Sequence, residues 1–199
     1  WHQAKGPAAI DGEASFAASG SAIAYGHGLL TIVTGGTVSR MHVSMDSGAT
    51  WMSDHLDLQQ GLPSQGAFAH EWVGDKLYVV GGDYMNDEDS TSTALVVDLA
   101  TGEMDAATNA LLEPLPYTSD VVGDGTYTYF TGTTGVRVLD STLEVMDTAA
   151  MHALTFSGKY VFASGPHGRI GRVYTGDVAG LNDLVNEVHR AQKLAAKHD

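Results

Sequence analysis

One rhythm occurs four times along this chain, and it constrains the fold more than any other feature. A short apolar strand is followed by a tight turn, a stronger apolar strand that stops at glycine, and an alternating strand that ends in a hairpin. The stronger strands read LLTIVTGG, KLYVVGGD, TYTYFTGT and KYVFASGP. Each is a β-branched and aromatic run of the kind that fits a pleated surface. The turns before them, GHG, VGD, GDG and SGK, carry hairpin chemistry. After them come RMHVS, ALVVD, GVRVLD and GRVY. The repeat spacing, roughly 35 to 50 residues, is that of a four-stranded propeller blade. A β-sandwich with regular strands is the competing architecture. Strand order, matched in all four segments, favours the propeller. The expected fold is all-β, a propeller of about four visible blades within residues 1–176, at approximately 14–52, 66–105, 117–147 and 151–176.

Residues 177–199 do not fit a blade. Leu181, Leu184, Val185 and Val188, with Ala191 and Ala195, fall on one helical face. Asn182 or Asp183 could open such a helix, and Arg190, Lys193 and Lys197 suit its C-terminal half. The expectation is an amphipathic helical tail. It packs on its own propeller or docks into a partner's groove.

Charge and composition then exclude several functions. The formal charge is −14, with ten Lys plus Arg. A nucleic acid or an anionic membrane surface would be repelled. There is no cysteine, so disulfides, thiolate metal sites and cysteine nucleophiles are excluded. Avoidance of thiols fits an extracytoplasmic location, whether periplasm, secreted space or organelle lumen. No apolar run approaches the roughly 18 residues of a membrane span. The chain begins at Trp1 rather than methionine, which reads as processing or truncation.

The stretch SMDSGATW, Ser44 to Trp51, lies where a third strand turns into a fourth. A short acidic side chain there accepts hydrogen bonds from the turn's own N–H groups. Gly48 supplies backbone freedom, and Trp51 is expected to bury its ring against the neighbouring sheet. Asp46 is thus read as a turn lock rather than a catalyst. Ser44, Asp46, Gly48, Thr50 and Trp51 match S-x-D-x-G-x-T-W at every defined position. This resembles the Asp-box, or BNR repeat, of sialidases and related propellers. The phrases GEASFAASG, GLPSQGAFAHEW, VVGGDY and MHALTFSGKYVFASGPHGRIGRVY occur in that order. Together they resemble bacterial Asp-box propellers described as oxidoreductase-like or photosystem II assembly factor-like. The resemblance covers residues 11 to about 174, and only one Asp-box is intact. It implies a ring of about seven blades, of which these would be the C-terminal four, or else a shortened ring.

Catalytic signals are weak. Asp83, Asp87, Glu88 and Asp89 form an acidic cluster without the spacing of a calcium loop; Asp83, Asp87 and Asp89 are its calcium candidates. The nine histidines form no zinc motif. Ser64 lacks the first glycine of a nucleophile elbow, since Leu62 stands there. No dinucleotide fingerprint follows a strand. The arginine-containing motif of sialidases is absent. No cofactor or metal is expected.

In propellers the inner strands and their connecting loops line the channel mouth. Glu13, Ser19, Arg40, Asp83, Tyr84, Ser119, His152 and Arg169 lie near blade starts or strand ends, and are the candidate ligand- or partner-binding residues. Arg40 and Arg169 should each have a carboxylate or ligand nearby. The tail positions Leu181, Leu184, Val185 and Val188 are a second candidate partner surface. The reading that results is a non-catalytic propeller, a scaffold, subunit or assembly factor whose partners are other protein subunits. The alternative is a glycan-binding or glycoside-hydrolysing member of the sialidase-like superfamily.

Overall fold

The computed structural model describes residues 5–16 and 19–177. The expected tail therefore lies outside the described residues, apart from Asp177. Strands form where alternation and glycine stops place them. The first sheet contains β1 (Glu13–Ala14), β2 (Ile23–Gly26), β3 (Leu29–Gly36), β4 (Arg40–Ser44) and β5 (Met52–His55). β6 (Gln65–Val73), β7 (Lys76–Asp83) and β8 (Ala94–Asp98) make the second. The third holds β9 (Asp120–Gly123), β10 (Thr128–Gly132), β11 (Gly135–Leu139) and β12 (Leu143–Asp147). β13 (Ala153–Ser157), β14 (Tyr160–Gly165) and β15 (Arg169–Tyr174) make the fourth. All strand pairings are antiparallel; within each sheet they join sequence neighbours, except that β1 pairs with β3, and a bridge from Gly35 to Gly66 joins the first sheet to the second.

Period-2 alternation is what stacks these sheets. In β7, Leu77 and Val79 enter an apolar cluster with Val33, Leu56, Leu58 and Leu95. The intervening Tyr78 and Val80 enter a second cluster with Val121 and Phe130 of the third sheet. Tyr129, beside Phe130, turns the other way and packs with Leu154 and Val161 of the fourth sheet. Three clusters thus cement three sheet-to-sheet interfaces, each by apolar burial. Among the described residues no apolar cluster joins the first sheet to the fourth, so the four blades form an open arc there.

The glycine that ends each strong strand has a steric cause. A Cβ on Gly35 would stand 2.6 Å from the Gln65 carbonyl oxygen, where the first sheet crosses the second. A Cβ on Gly81 would fall inside the Gly66 carbonyl oxygen. Because both obstacles are backbone, Gly81→Ala is expected to destabilise the fold by about 3 kcal/mol. Urea denaturation reads this directly, and a loss under about 0.5 kcal/mol would contradict so tight a crossing.

Two features depart from the regular repeat. The second sheet has no fourth strand, only a bridge from Val97 to Met104 and then α1 (Ala106–Leu112). Asp105 caps this helix, its Oδ1 accepting the Thr108 N–H at 3.1 Å, and it pairs with Lys76. Asn109 accepts the Val96 N–H at 2.7 Å, so a side-chain amide meets a strand edge left open by the missing strand. The second departure is the inner strand of the first sheet. Ala14 pairs with Gly35 and Ile23 with Ile32. Nine steps along the inner strand thus face three along β3. Of the surplus, Phe16 and Ser19 meet Phe68 of the second sheet and Ser21 meets Asp120 of the third.

Candidate functional site

The Asp-box stretch closes on itself. Asp46 Oδ1 accepts the Thr50 N–H at 2.8 Å, and Oδ2 accepts the Thr50 hydroxyl at 2.6 Å. Ser44 Oγ donates to Asp46 at 2.8 Å and accepts the Gly48 N–H at 2.8 Å. Bonds from Thr50 and Ser44 hold the Asp46 carboxyl at about 2. Every acceptor is consumed locally, which is architecture rather than chemistry. Trp51 and Leu30 of the same sheet both lie beside Gly48.

Glu13 and Arg40 belong to a buried network on the first sheet. The Glu13 side chain is 1% exposed. Its Oε1 accepts from the Thr34 hydroxyl at 2.6 Å, Arg40 Nε at 3.0 Å and His42 Nε2 at 3.1 Å. Its Oε2 accepts the Ile10 N–H at 2.7 Å and pairs with the Arg40 guanidinium. Burial pushes this carboxyl up, but the bonds from Arg40, Thr34 and Ile10 outweigh it and hold it at about 2. Burial lowers His42 despite the nearby carboxylate, so the imidazole is a neutral donor. The carboxylate expected beside Arg40 is therefore present, within one sheet. Arg169 differs: it is exposed, makes no ion pair among the described residues, and donates to the Ala150 carbonyl at 3.1 Å.

Four of the remaining candidates, Ser19, Tyr84, Ser119 and His152, converge. A cavity of about 410 Å³ is lined by Phe16, Ser19, Phe68, Tyr84, Tyr117, Ser119 and His152. Phe16 and Ser19 come from the segment that leaves the first sheet. Phe68 projects from a bulge in β6, where Ala67 pairs with Gly81 and Ala69 with Val80. A bulged residue is unpaired and re-aimed, and this one stacks on Phe16 with ring centroids 3.9 Å apart. Its carbonyl accepts from the Ser19 hydroxyl. Tyr84 and Tyr117 stand edge-on to Phe68, at 6.0 and 5.1 Å. Burial pushes the Tyr117 phenol up to about 12. Ser119 Oγ lies 3.1 Å from the carbonyls of Thr131 and His152, tying the third sheet to the fourth.

Asp83 is outside the cavity wall but shapes it. Its buried carboxylate accepts the Met85 N–H at 2.9 Å and the Gln65 amide at 3.2 Å, which sets the turn carrying Tyr84. Asp89 caps the Thr91 N–H at 2.9 Å. No three Asp, Glu or His side chains converge on a metal-sized space among the described residues.

Below the cavity, Asp120 joins three sheets. It accepts the Ser21 hydroxyl from the crossing segment, the Leu154 N–H at 2.7 Å and its neighbour's Val121 N–H at 3.0 Å. Burial raises its carboxyl despite these bonds. Glu71 is also raised, by burial and then by the Asp120 charge. His70 is fully buried with Nε2 2.7 Å from the Thr31 hydroxyl; burial lowers it to about 4, so it is neutral.

Sequence reasoning named Ser19, Tyr84, Ser119 and His152 but not Phe16, Phe68 or Tyr117. Phe16 sits in ASFAASGS, a run of small residues without alternation; one large ring in such a run was the available signal.

The arrangement is that of a β-propeller: consecutive antiparallel sheets stacked side by side around a central cavity. Comparison with solved structures agrees on the fold. The computationally designed Ika4 protein is 15% identical, with 80% of this chain and 95% of that one covered, at a TM-score of 0.51. The designed Ika8 protein is 14% identical over 77% of this chain and 45% of that one, also at 0.51. Weaker similarities reach the Neurospora crassa Pan2 WD40 domain, at 14% identity, 78% and 48% coverage and a TM-score of 0.47. BamB from Moraxella catarrhalis gives 14%, 75%, 56% and 0.41. The chain spans about half the length of the last three. No family model matches the chain, and no curated protein does.

Proposed function

We propose that this protein is a non-catalytic propeller scaffold that holds a protein partner at the aromatic cavity. The observation that carries this reading is the lining. Four aromatic rings, two serines and His152 line the space, and no carboxylate does among the described residues. A glycoside hydrolase of the usual kind would need two carboxylates flanking the bond to be cut. Asp120 and Glu71 lie close enough to interact, but Asp120 is committed to backbone and serine donors. Rigid aromatic side chains with a few polar groups are the composition of protein-binding hot spots.

The Asp-box resemblance supports membership in the assembly factor-like propellers, and the absence of cysteine supports a location outside the cytoplasm. The same aromatic rings favour one alternative, a bound glycan, since sugar faces stack on such rings.

Tyr84 is 45% exposed at the mouth, so Tyr84→Arg alters the cavity without disturbing the core. Crosslinking and mass spectrometry of the wild type and this variant should show at least one specific protein partner lost. A glycan array that binds the wild type and not the variant, with the protein partners unchanged, would replace the scaffold by the glycan reading.

A further inference from the structure

The polar groups of the aromatic cavity are as one-sided as its rings. Ser19 Oγ donates to the Phe68 carbonyl, and Ser119 Oγ lies 3.1 Å from the carbonyls of Thr131 and His152, to which its proton is directed. A hydroxyl has one proton and two lone pairs. With the proton engaged, each serine has only acceptor capacity left for a guest. The phenol oxygens of Tyr84 and Tyr117 can accept as well.

The rings form walls in perpendicular orientations. Phe16 and Phe68 stack, and Tyr84 stands edge-on to both, 6.4 Å from Phe16 and 6.0 Å from Phe68. Tyr117 is perpendicular to Phe68 at 5.1 Å. An aromatic face carries the negative lobe of the ring quadrupole, and a cation placed over it is attracted.

The charge around the cavity has the same sign. The Tyr117 N–H donates to the Asp87 carbonyl at 3.3 Å. Burial, then the charges of Tyr84 and Asp87, push the Tyr117 phenol up, so the Asp87 carboxylate is within electrostatic reach of the box. Glu88 of the same loop has Arg137 within reach. Asp83 and Asp87 make no ion pair among the described residues. No lysine or arginine is among the described lining residues, and His152 is the one that can carry positive charge.

We propose that the group this cavity receives is an arginine side chain of the protein partner, an inference that rests on the scaffold reading. A guanidinium is planar and stacks on aromatic rings, and it has five N–H donors and no acceptor. It therefore complements the rings, the oxygens and the surrounding charge together. Lysine shares the charge but not the plane. An anionic group would find neither serine free to donate, and would be opposed by Asp83 and Asp87.

The test titrates N-acetyl-arginine amide, and its neutral isostere N-acetyl-citrulline amide, into the full 199-residue chain, with the aromatic ring protons followed by NMR. The arginine probe should bind with a Kd on the order of 1 mM, and the citrulline probe roughly tenfold more weakly. Tyr84→Ala removes one wall at an exposed position and should weaken the arginine probe roughly fivefold or more. Tyr25→Ala changes an exposed ring outside the cavity lining and should leave it unchanged. Citrulline binding as tightly as arginine overturns the proposal, because charge would then not decide. So does arginine binding that Tyr84→Ala leaves intact, which would assign it to the acidic surface at large. No arginine binding up to about 50 mM overturns it as well. The scaffold reading fails separately. A crosslinked partner lost in Tyr84→Arg, with no binding of the probe, removes the arginine and keeps the scaffold. Probe binding that meets these expectations, with no partner lost, supports the guanidinium preference and removes the scaffold.

Discussion

Glu13→Ala is expected to cost about 4 kcal/mol, because it leaves the buried Arg40 guanidinium without its counter-charge. The Thr34 hydroxyl, His42 and the Ile10 N–H lose their acceptor in the same step. The effect has a pH signature with a definite sign. Glu13 ionises at about 2 in the folded chain against an ordinary value of 4.5. A depressed carboxyl contributes stability that is complete above the unfolded value and lost as pH falls through the folded one. The wild type should therefore lose about 3 kcal/mol from this group between pH 4.5 and 2. Urea denaturation at several pH values checks it. Glu13→Gln should be less stable at pH 7 and show a shallower acid decline. Parallel curves for the two proteins would mean the carboxylate is not the group that titrates.

Asp120→Ala is expected to cost about 4 kcal/mol by a different route. It orphans the Leu154 N–H, the Val121 N–H and the Ser21 hydroxyl, each bonded to one carboxylate. Among the described residues the fourth sheet is packed by an apolar cluster on one side only, so it should open before the rest. Amide exchange in Ala153–Ser157 and Tyr160–Gly165 should then accelerate more than in Lys76–Asp83. Uniform acceleration would show that Asp120 supports the whole arc equally. The pH dependence opposes that of Glu13. A carboxyl raised by burial contributes stability at low pH that is lost as pH rises through its folded value. Asp120→Asn should accordingly cost less than alanine, and its deficit should shrink as pH rises.

How much of this was legible beforehand follows from what each signal depends on. The strong strands were legible because Leu77, Tyr78, Val79 and Val80 alternate between two apolar clusters, and alternation is written in sequence. The glycine stops were legible as stops, but their cause, one backbone crossing another at Gly35 and Gly81, exists only after folding. Helix α1 was not expected. It is seven residues long, too short for a periodic signal, and depends on Asp105 and Asn109 meeting the second sheet. The cavity was half legible. Strand ends located Ser19, Tyr84, Ser119 and His152. Phe68 could not be aimed in advance, because its direction is set by a one-residue register slip in β6.

The crossing segment between β1 and β2 has one more consequence. It brings Phe16 and Ser19 to a cavity whose other walls come from the second, third and fourth sheets. A pocket with one wall per sheet has no existence apart from their relative tilt. On the proposed reading, a partner seated there would act as a keystone that resists flexing of the arc, and flexing would loosen its grip. Occupancy and curvature would then be one mechanical variable, and a load applied to either end of the arc would be felt as a change in affinity at its centre.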